Sequence, residues 1–322
     1  MKRVMLVVSC LMAILLVGVA VNGALTEKVT PKWAAAQGLL EARAGACAVT
    51  LNDGRILVTG GSNGDEPLAT AEYLDLNGPG AAAASMAVAR SSHMCVTLGD
   101  GTVLVAGGMS ADGAPISSAE VLNAATGQWR QVGAMTASRT AATASRLRDG
   151  RVLIAGGQVS GQALAILEIY DPESGSFAPV SGLLSSPRKD HAAAVLKDGR
   201  VVIAGGSDGN AALDTIDVYD PISGEVSLLG KLTSPREGLS ATLLQDGRVF
   251  FAGGSDGAQD LASTEIYDPA GGTLGAAMAM DTARHGHIAF RIPNNNSVFI
   301  AGGTAGGKPQ ASAGMYIPWR NT

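Results

Sequence analysis

Residues 139–157 read RTAATASRLRDGRVLIAGG, and this stretch decides the fold. Its second half holds a continuous apolar run, Val152-Leu153-Ile154-Ala155, of the kind buried on both faces of a sheet. Asp149-Gly150, set between two apolar stretches, predicts a tight hairpin in which both turn residues take positive φ. Gly156-Gly157 imply bulged or closely approached backbone. Leu167-Glu168-Ile169-Tyr170 then reads as a third strand stopped by Asp171-Pro172, with a weaker strand around Phe177. The unit is four short antiparallel strands without a helix.

The unit recurs. Glycine doublets stand at Gly60-Gly61, Gly107-Gly108, Gly156-Gly157, Gly205-Gly206, Gly253-Gly254 and Gly302-Gly303, 47 to 49 residues apart. A fixed period of this length is the mark of a repeat architecture. None of the six units has a core of its own, so they must stack radially. The expected fold is all-β, a six-bladed β-propeller of four-stranded antiparallel blades. The chain ends predict how the ring closes. Trp33 precedes Arg43 by ten residues, as Trp129 precedes Arg139, so residues 30–36 read as an outer fourth strand without its first three. Met315-Tyr316-Ile317 reads as a third strand without its fourth. The N-terminal strand is therefore expected to complete the last blade, which removes two exposed edges.

Residues 1–23 stand apart from the repeats. Lys2 and Arg3 precede an apolar run from Val4 to Val21, and Val21-Asn22-Gly23 offers a small-residue cleavage site. This is the pattern of a secretory signal peptide, with an uncleaved anchor as the alternative. Residues 24–322 then form one propeller domain, secreted, periplasmic or extracellular. The chain carries a formal charge of −5; without Lys2 and Arg3, 21 basic residues face 28 acidic ones. No basic stripe appears, so nucleic acid is a poor partner, and a membrane enters only if the leader stays uncleaved. Once Cys10 leaves with the leader, Cys47 and Cys95 remain, in adjacent columns of neighbouring repeats. Export permits a bond between them, but two buried thiols are the expected state.

The Gly doublet, Glu-x-Tyr-Asp-Pro at Glu168 to Pro172, Trp in the fourth strand and Arg before the next first strand together resemble kelch repeats, over residues 30–318. Leu122 stands where repeat two should carry Tyr, and Gly314 where the other repeats carry Glu or Asp. The resemblance implies a partner-binding face built from loops at the channel mouth. On that reading Arg43, Arg90, Arg139, Arg188, Arg236 and Arg284, each leading into an innermost strand, are binding candidates. An acidic column (Glu72, Glu120, Glu168, Asp217, Glu265) repeats alongside, so structural pairing is the preferred account and Arg284 is left the most available.

Histidine breaks the repeat. His93, His191 and His287 lie three residues after the Arg in alternate units, where the others have Ala46, Ala142 and Leu239. Three convergent imidazoles form a known zinc arrangement, but local hydrogen bonding is the expectation, and no metal or cofactor is assigned. His285, beside Arg284, adds a fourth ring, and Lys189-Asp190 and Glu237 are further polar departures. His93, His191, His285 and His287 join the arginines as channel-mouth candidates. The functional expectation is an exported binding module for a protein or glycan. The alternative that the resemblance brings is a sialic-acid-epimerase-like carbohydrate isomerase using Glu237 with His191 or His285. No catalytic motif supports the enzyme.

Overall fold

The computed structural model describes residues 32–36, 39–64, 66–74, 80–292 and 296–318. The leader segment, and most of the Pro293-Asn294-Asn295-Asn296 stretch, lie outside them.

The expected blades are present. Six four-stranded antiparallel sheets account for the repeats, with no helix among the described residues. The third blade runs Thr143–Arg146, Val152–Ala155, Ile166–Asp171 and Ser176–Leu183, from the channel outward. Its second strand is buried along its whole length, as are Ile56–Thr59, Val103–Ala106, Val201–Ala204, Val249–Ala252 and Val298–Ala301. β-branched and apolar side chains on both faces are needed here, because each face packs against a neighbouring blade. The innermost strands touch in a circle, and Ile288–Arg291 packs back against Cys47–Thr50 to close it. Six separate apolar clusters result, one at each seam between blades.

The last blade is closed as expected. Lys32–Ala36 pairs antiparallel with Ala313–Ile317, in register Trp33↔Tyr316.

The hairpin between the first two strands differs from expectation. Gly150 has positive φ, but Asp149 does not. The loop is one residue longer than an Asp-Gly turn: Gly150 N–H donates to Leu147 O (3.2 Å) and Leu147 N–H to Arg151 O (2.8 Å). Only the glycine then needs the left-handed conformation. Asp149 instead accepts from the Arg151 backbone (3.1 Å) and from its guanidinium Nε (2.7 Å), which fixes the turn from outside. The glycine doublet has the predicted cause. Gly156 and Gly157 have φ of 58° and 95°, and a Cβ on Gly156 would meet Arg188 O at 2.5 Å.

Cys47 and Cys95 form a disulfide, contrary to the two free thiols expected, with Cα atoms 5.8 Å apart. Adjacent columns point to opposite faces of a blade, and neighbouring blades present opposite faces to their shared seam. The two side chains therefore meet between blades one and two, within the same apolar cluster.

Candidate functional site

The channel mouth at the glycine-doublet end is built from four consecutive residues of each repeat. The first is the repeat arginine, the fourth the residue that occupies the His/Ala/Leu column.

The arginines point inward. Arg90, Arg139, Arg188 and Arg236 are fully buried, Arg43 and Arg284 nearly so. Each guanidinium donates through Nη1 to the carbonyl of the first glycine of its own doublet, Arg90 to Gly107 (2.8 Å) and Arg236 to Gly253 (3.1 Å). Five of the six also pair with the acidic column: Arg43 with Glu72 (2.9 Å), Arg90 with Glu120 (2.7 Å), Arg139 with Glu168, Arg188 with Asp217 (3.1 Å) and Arg236 with Glu265 (2.7 Å). The acids reach onward to a backbone N–H, as Glu168 does to Thr136 (2.9 Å). Each brace satisfies a charge that burial would otherwise make costly. Among the described residues Arg284 pairs with no carboxylate, and it uses Ser312 Oγ (3.0 Å). Its availability to a ligand is nevertheless low, because it is 5% exposed. The arginines hold the mouth together from inside the blades.

The third residue of each set forms a collar. Ser92 N–H donates to Gly45 O (2.8 Å), Ala141 to Ser92 (2.7 Å), Asp190 to Ala141 (2.9 Å), Gly238 to Asp190 (2.7 Å) and Gly286 to Gly238 (2.8 Å). Gly45 closes the circle on Gly286 at a longer 3.4 Å. All six residues have φ between 51° and 63°, the left-handed region, and three of them are not glycine. The collar fixes six backbone positions around the channel, so the blades differ at the mouth in their side chains.

Those side chains are unevenly distributed. On blades one to three the second and third positions are Ala44-Gly45, Ser91-Ser92 and Thr140-Ala141; on blades four to six they are Lys189-Asp190, Glu237-Gly238 and His285-Gly286. Every titratable group of these two positions lies on one half of the ring. Burial pushes the Asp190 carboxyl up to about 6, and Glu237 adds to the rise, while Lys189 and His285 oppose it. His285 Nδ1 bonds Asp260 Oδ1 at 2.5 Å, and the other Asp260 oxygen accepts from Gly306 N (2.9 Å).

Asp260 was not singled out from the sequence, being 25 residues from His285. A signal existed. Its repeat column, which pairs with the residue after the glycine doublet, otherwise holds Pro67, Pro115, Ala163, Ala212 and Pro309. By contrast, Asp208 and Asp256 accept backbone N–H bonds within their own turns, which hold their carboxyls low. They are turn caps.

The three alternate histidines all line the channel, but each ring is engaged by a hydroxyl. His93 Nε2 bonds Thr59 Oγ1 (2.9 Å), His191 Nε2 bonds Thr143 Oγ1 (3.0 Å) and His287 Nε2 bonds Ser240 Oγ (2.9 Å). Each partner belongs to the preceding blade, so each imidazole is engaged across a seam. Burial and the adjacent repeat arginine push all three down to about 3. They are neutral near neutrality. Among the described residues no group of three His, Cys, Asp or Glu is placed to hold a metal ion.

Behind the collar the channel encloses about 240 Å³. Its wall is mostly small, with eight alanines together with the disulfide, and without Trp, Tyr or Phe. The opposite end of the ring carries two larger grooves between blades, about 470 and 520 Å³, lined by the hairpin Asp-Gly pairs and the Asp-Pro turns. Ile222, in one of those turns, is almost fully exposed.

A comparison with curated proteins finds no match. The family model described as the KLHDC2/KLHL20/DRC7 Kelch-repeats domain matches residues 80–254, just over half of the chain. That match begins in the first blade and ends at the fifth glycine doublet, covering the repeat arginines and collar residues of blades two to five. With six four-stranded blades around one channel, the chain belongs to the kelch-repeat family.

Proposed function

We propose that this protein is an exported interaction module whose protein partner docks on the channel mouth at the glycine-doublet end, over blades four to six. A kelch propeller suggests protein interaction in general. The observation that carries the finer reading is the polarised rim: charged side chains at Lys189, Asp190, Glu237 and His285 face small neutral ones across a rigid collar. Polar groups varied on a fixed scaffold are how such folds carry recognition. Export is supported by the Cys47–Cys95 bond, since disulfides persist in oxidising compartments, together with the apolar leader.

The test is affinity capture from the exported fraction, with the bait altered on either end of the ring. Asp190→Asn with Glu237→Gln is expected to abolish recovery of a partner that wild type retains. Asp149→Asn with Asp198→Asn, on the opposite end, is expected to leave recovery intact. Equal recovery by both variants would defeat the mouth assignment. Export itself is read by finding the protein outside the cytoplasm with residues 1–23 removed.

A further inference from the structure

Blade six repeats the arginine brace in every part but one. Arg284 Nη1 donates to Gly302 O (2.9 Å) and Ser312 O (3.0 Å), and its Nη2 to Ser312 Oγ (3.0 Å). Arg90 holds the same three positions of blade two, Gly107 O, Ser118 O and Ser118 Oγ, and adds Glu120 Oε1 at 2.7 Å. The Arg284 guanidinium is therefore seated as in blade two, without the anion.

That anion has a second partner wherever it is present. In each of the other five blades the carboxylate also accepts the backbone N–H three residues before the arginine. The pairs are Leu40 to Glu72 (2.6 Å), Ala87 to Glu120 (2.8 Å), Thr136 to Glu168 (2.9 Å), Ser185 to Asp217 (3.0 Å) and Thr233 to Glu265 (2.9 Å). In blade six the corresponding donor is Asp281 N–H, and among the described residues it has no acceptor. The two donors that share one carboxylate in five blades share none in the sixth.

We propose that blade six binds a small carboxylate, of acetate or propanoate size, between the Arg284 guanidinium and the Asp281 N–H. The size follows from what the chain omits. Gly314 occupies the register position of the acids, opposite Ile300 as Glu168 is opposite Ile154, and relative to glutamate it lacks –CH2–CH2–COO⁻. Blade four makes the same bridge with one carbon fewer, through Asp217. A glycine inside a strand often marks close approach by a ligand. Gly314 is partly exposed where the five acids are buried, which gives the anion a way in. Arg284, at 5% exposed, limits it to a small one. The Asp281 carboxylate is no substitute, since among the described residues it makes no ion pair with Arg284. A buried guanidinium without its counter-ion is a costly state, and a bound carboxylate relieves it through charge-assisted hydrogen bonds. The site lies inside the blade and stands without the interaction reading.

The test exchanges chloride for acetate or propanoate on the purified protein at constant ionic strength. The melting temperature is expected to rise with the concentration of either carboxylate, and acetamide is expected to have no effect. In ¹H–¹⁵N spectra acetate is expected to shift the Asp281 amide. The amides of Ala87, Thr136, Ser185 and Thr233, which already hold carboxylates, are expected to stay in place. Gly314→Glu supplies the anion from within the chain and is expected to remove both responses. The amide pattern needs no variant, so it decides the matter even if Gly314→Glu fails to fold. An Asp281 amide that ignores acetate, an equal melting response in Gly314→Glu, or no change on exchanging chloride for acetate would overturn the assignment.

Discussion

Asp190 shows at the scale of one residue what the mouth costs. Its folded-state carboxyl stands near 6 against an ordinary 3.8, so its contribution is whole at acid pH and is lost as pH rises through about 6. At pH 7.5 the charged form destabilises the fold, and Asp190→Asn should raise stability by roughly 1–3 kcal/mol in denaturant titrations, with no gain at pH 4. The buried histidines behave oppositely. Their values are lowered from 6.5 to about 3, so stability is full above about 6.5 and falls away as pH drops toward 3. Blade five already uses Leu239 in this column, where its Cδ2 lies 3.0 Å from a Cβ built on Gly205. His287→Leu is therefore expected to fold and to reduce the loss of melting temperature between pH 6.5 and 4. An unchanged acid limb would show that this ring is not among the groups driving it. The histidine column was legible in the sequence, since it breaks the repeat. The direction of each ring was not, because the seam hydroxyl that receives it lies 34 to 48 residues away.

At the scale of the element, the brace between arginine and acid is the part of the site most completely readable, since a two-column repeat admits few other uses. Breaking it should be expensive. Glu168→Gln leaves the Arg139 charge buried beside a neutral group, and a loss of about 3–5 kcal/mol is expected from chemical denaturation. Blade six offers the converse experiment. Gly314 pairs with Ile300 as Glu168 pairs with Ile154, yet it gives Arg284 no acid. Gly314→Glu should raise stability by about 1–3 kcal/mol, because it supplies the missing anion and stiffens a strand glycine. The hairpin was legible only in part. Asp-Gly marks the turn, but the extra loop residue follows from the Leu147 and Gly150 hydrogen bonds, and spacing alone does not carry them. The disulfide was not expected, for a related reason. Column arithmetic places the two cysteines at one seam without giving their separation.

For the whole molecule, period and end composition were enough to give blade number and closure, because a ring leaves no other partner for a lone outer strand. Which half of the mouth carries charge could also be tabulated from sequence. How deeply its arginines are buried, Arg284 included, could not, since burial belongs to the assembled ring. Two global predictions follow from that assembly. The Cys47–Cys95 bond spans 48 residues, and reduction should cost about 2–4 kcal/mol by loop-closure entropy, measured with and without reductant. Removing residues 1–36 should open the edge of Ala313–Ile317, giving an aggregating chain in place of a cooperative melt.

The seam where Gly45 reaches Gly286 is the longest link of the collar, and it lies beside the one blade assembled from both ends of the repeat array. This sets a schedule. During synthesis the strand Lys32–Ala36 emerges early and must wait, unpaired, until Ala313–Ile317 arrives almost three hundred residues later. Five blades can form in the meantime, but none of them can lock the circle. The nascent chain thus remains an open arc until its last blade is made, and the last blade, not the first, decides when the circle can lock.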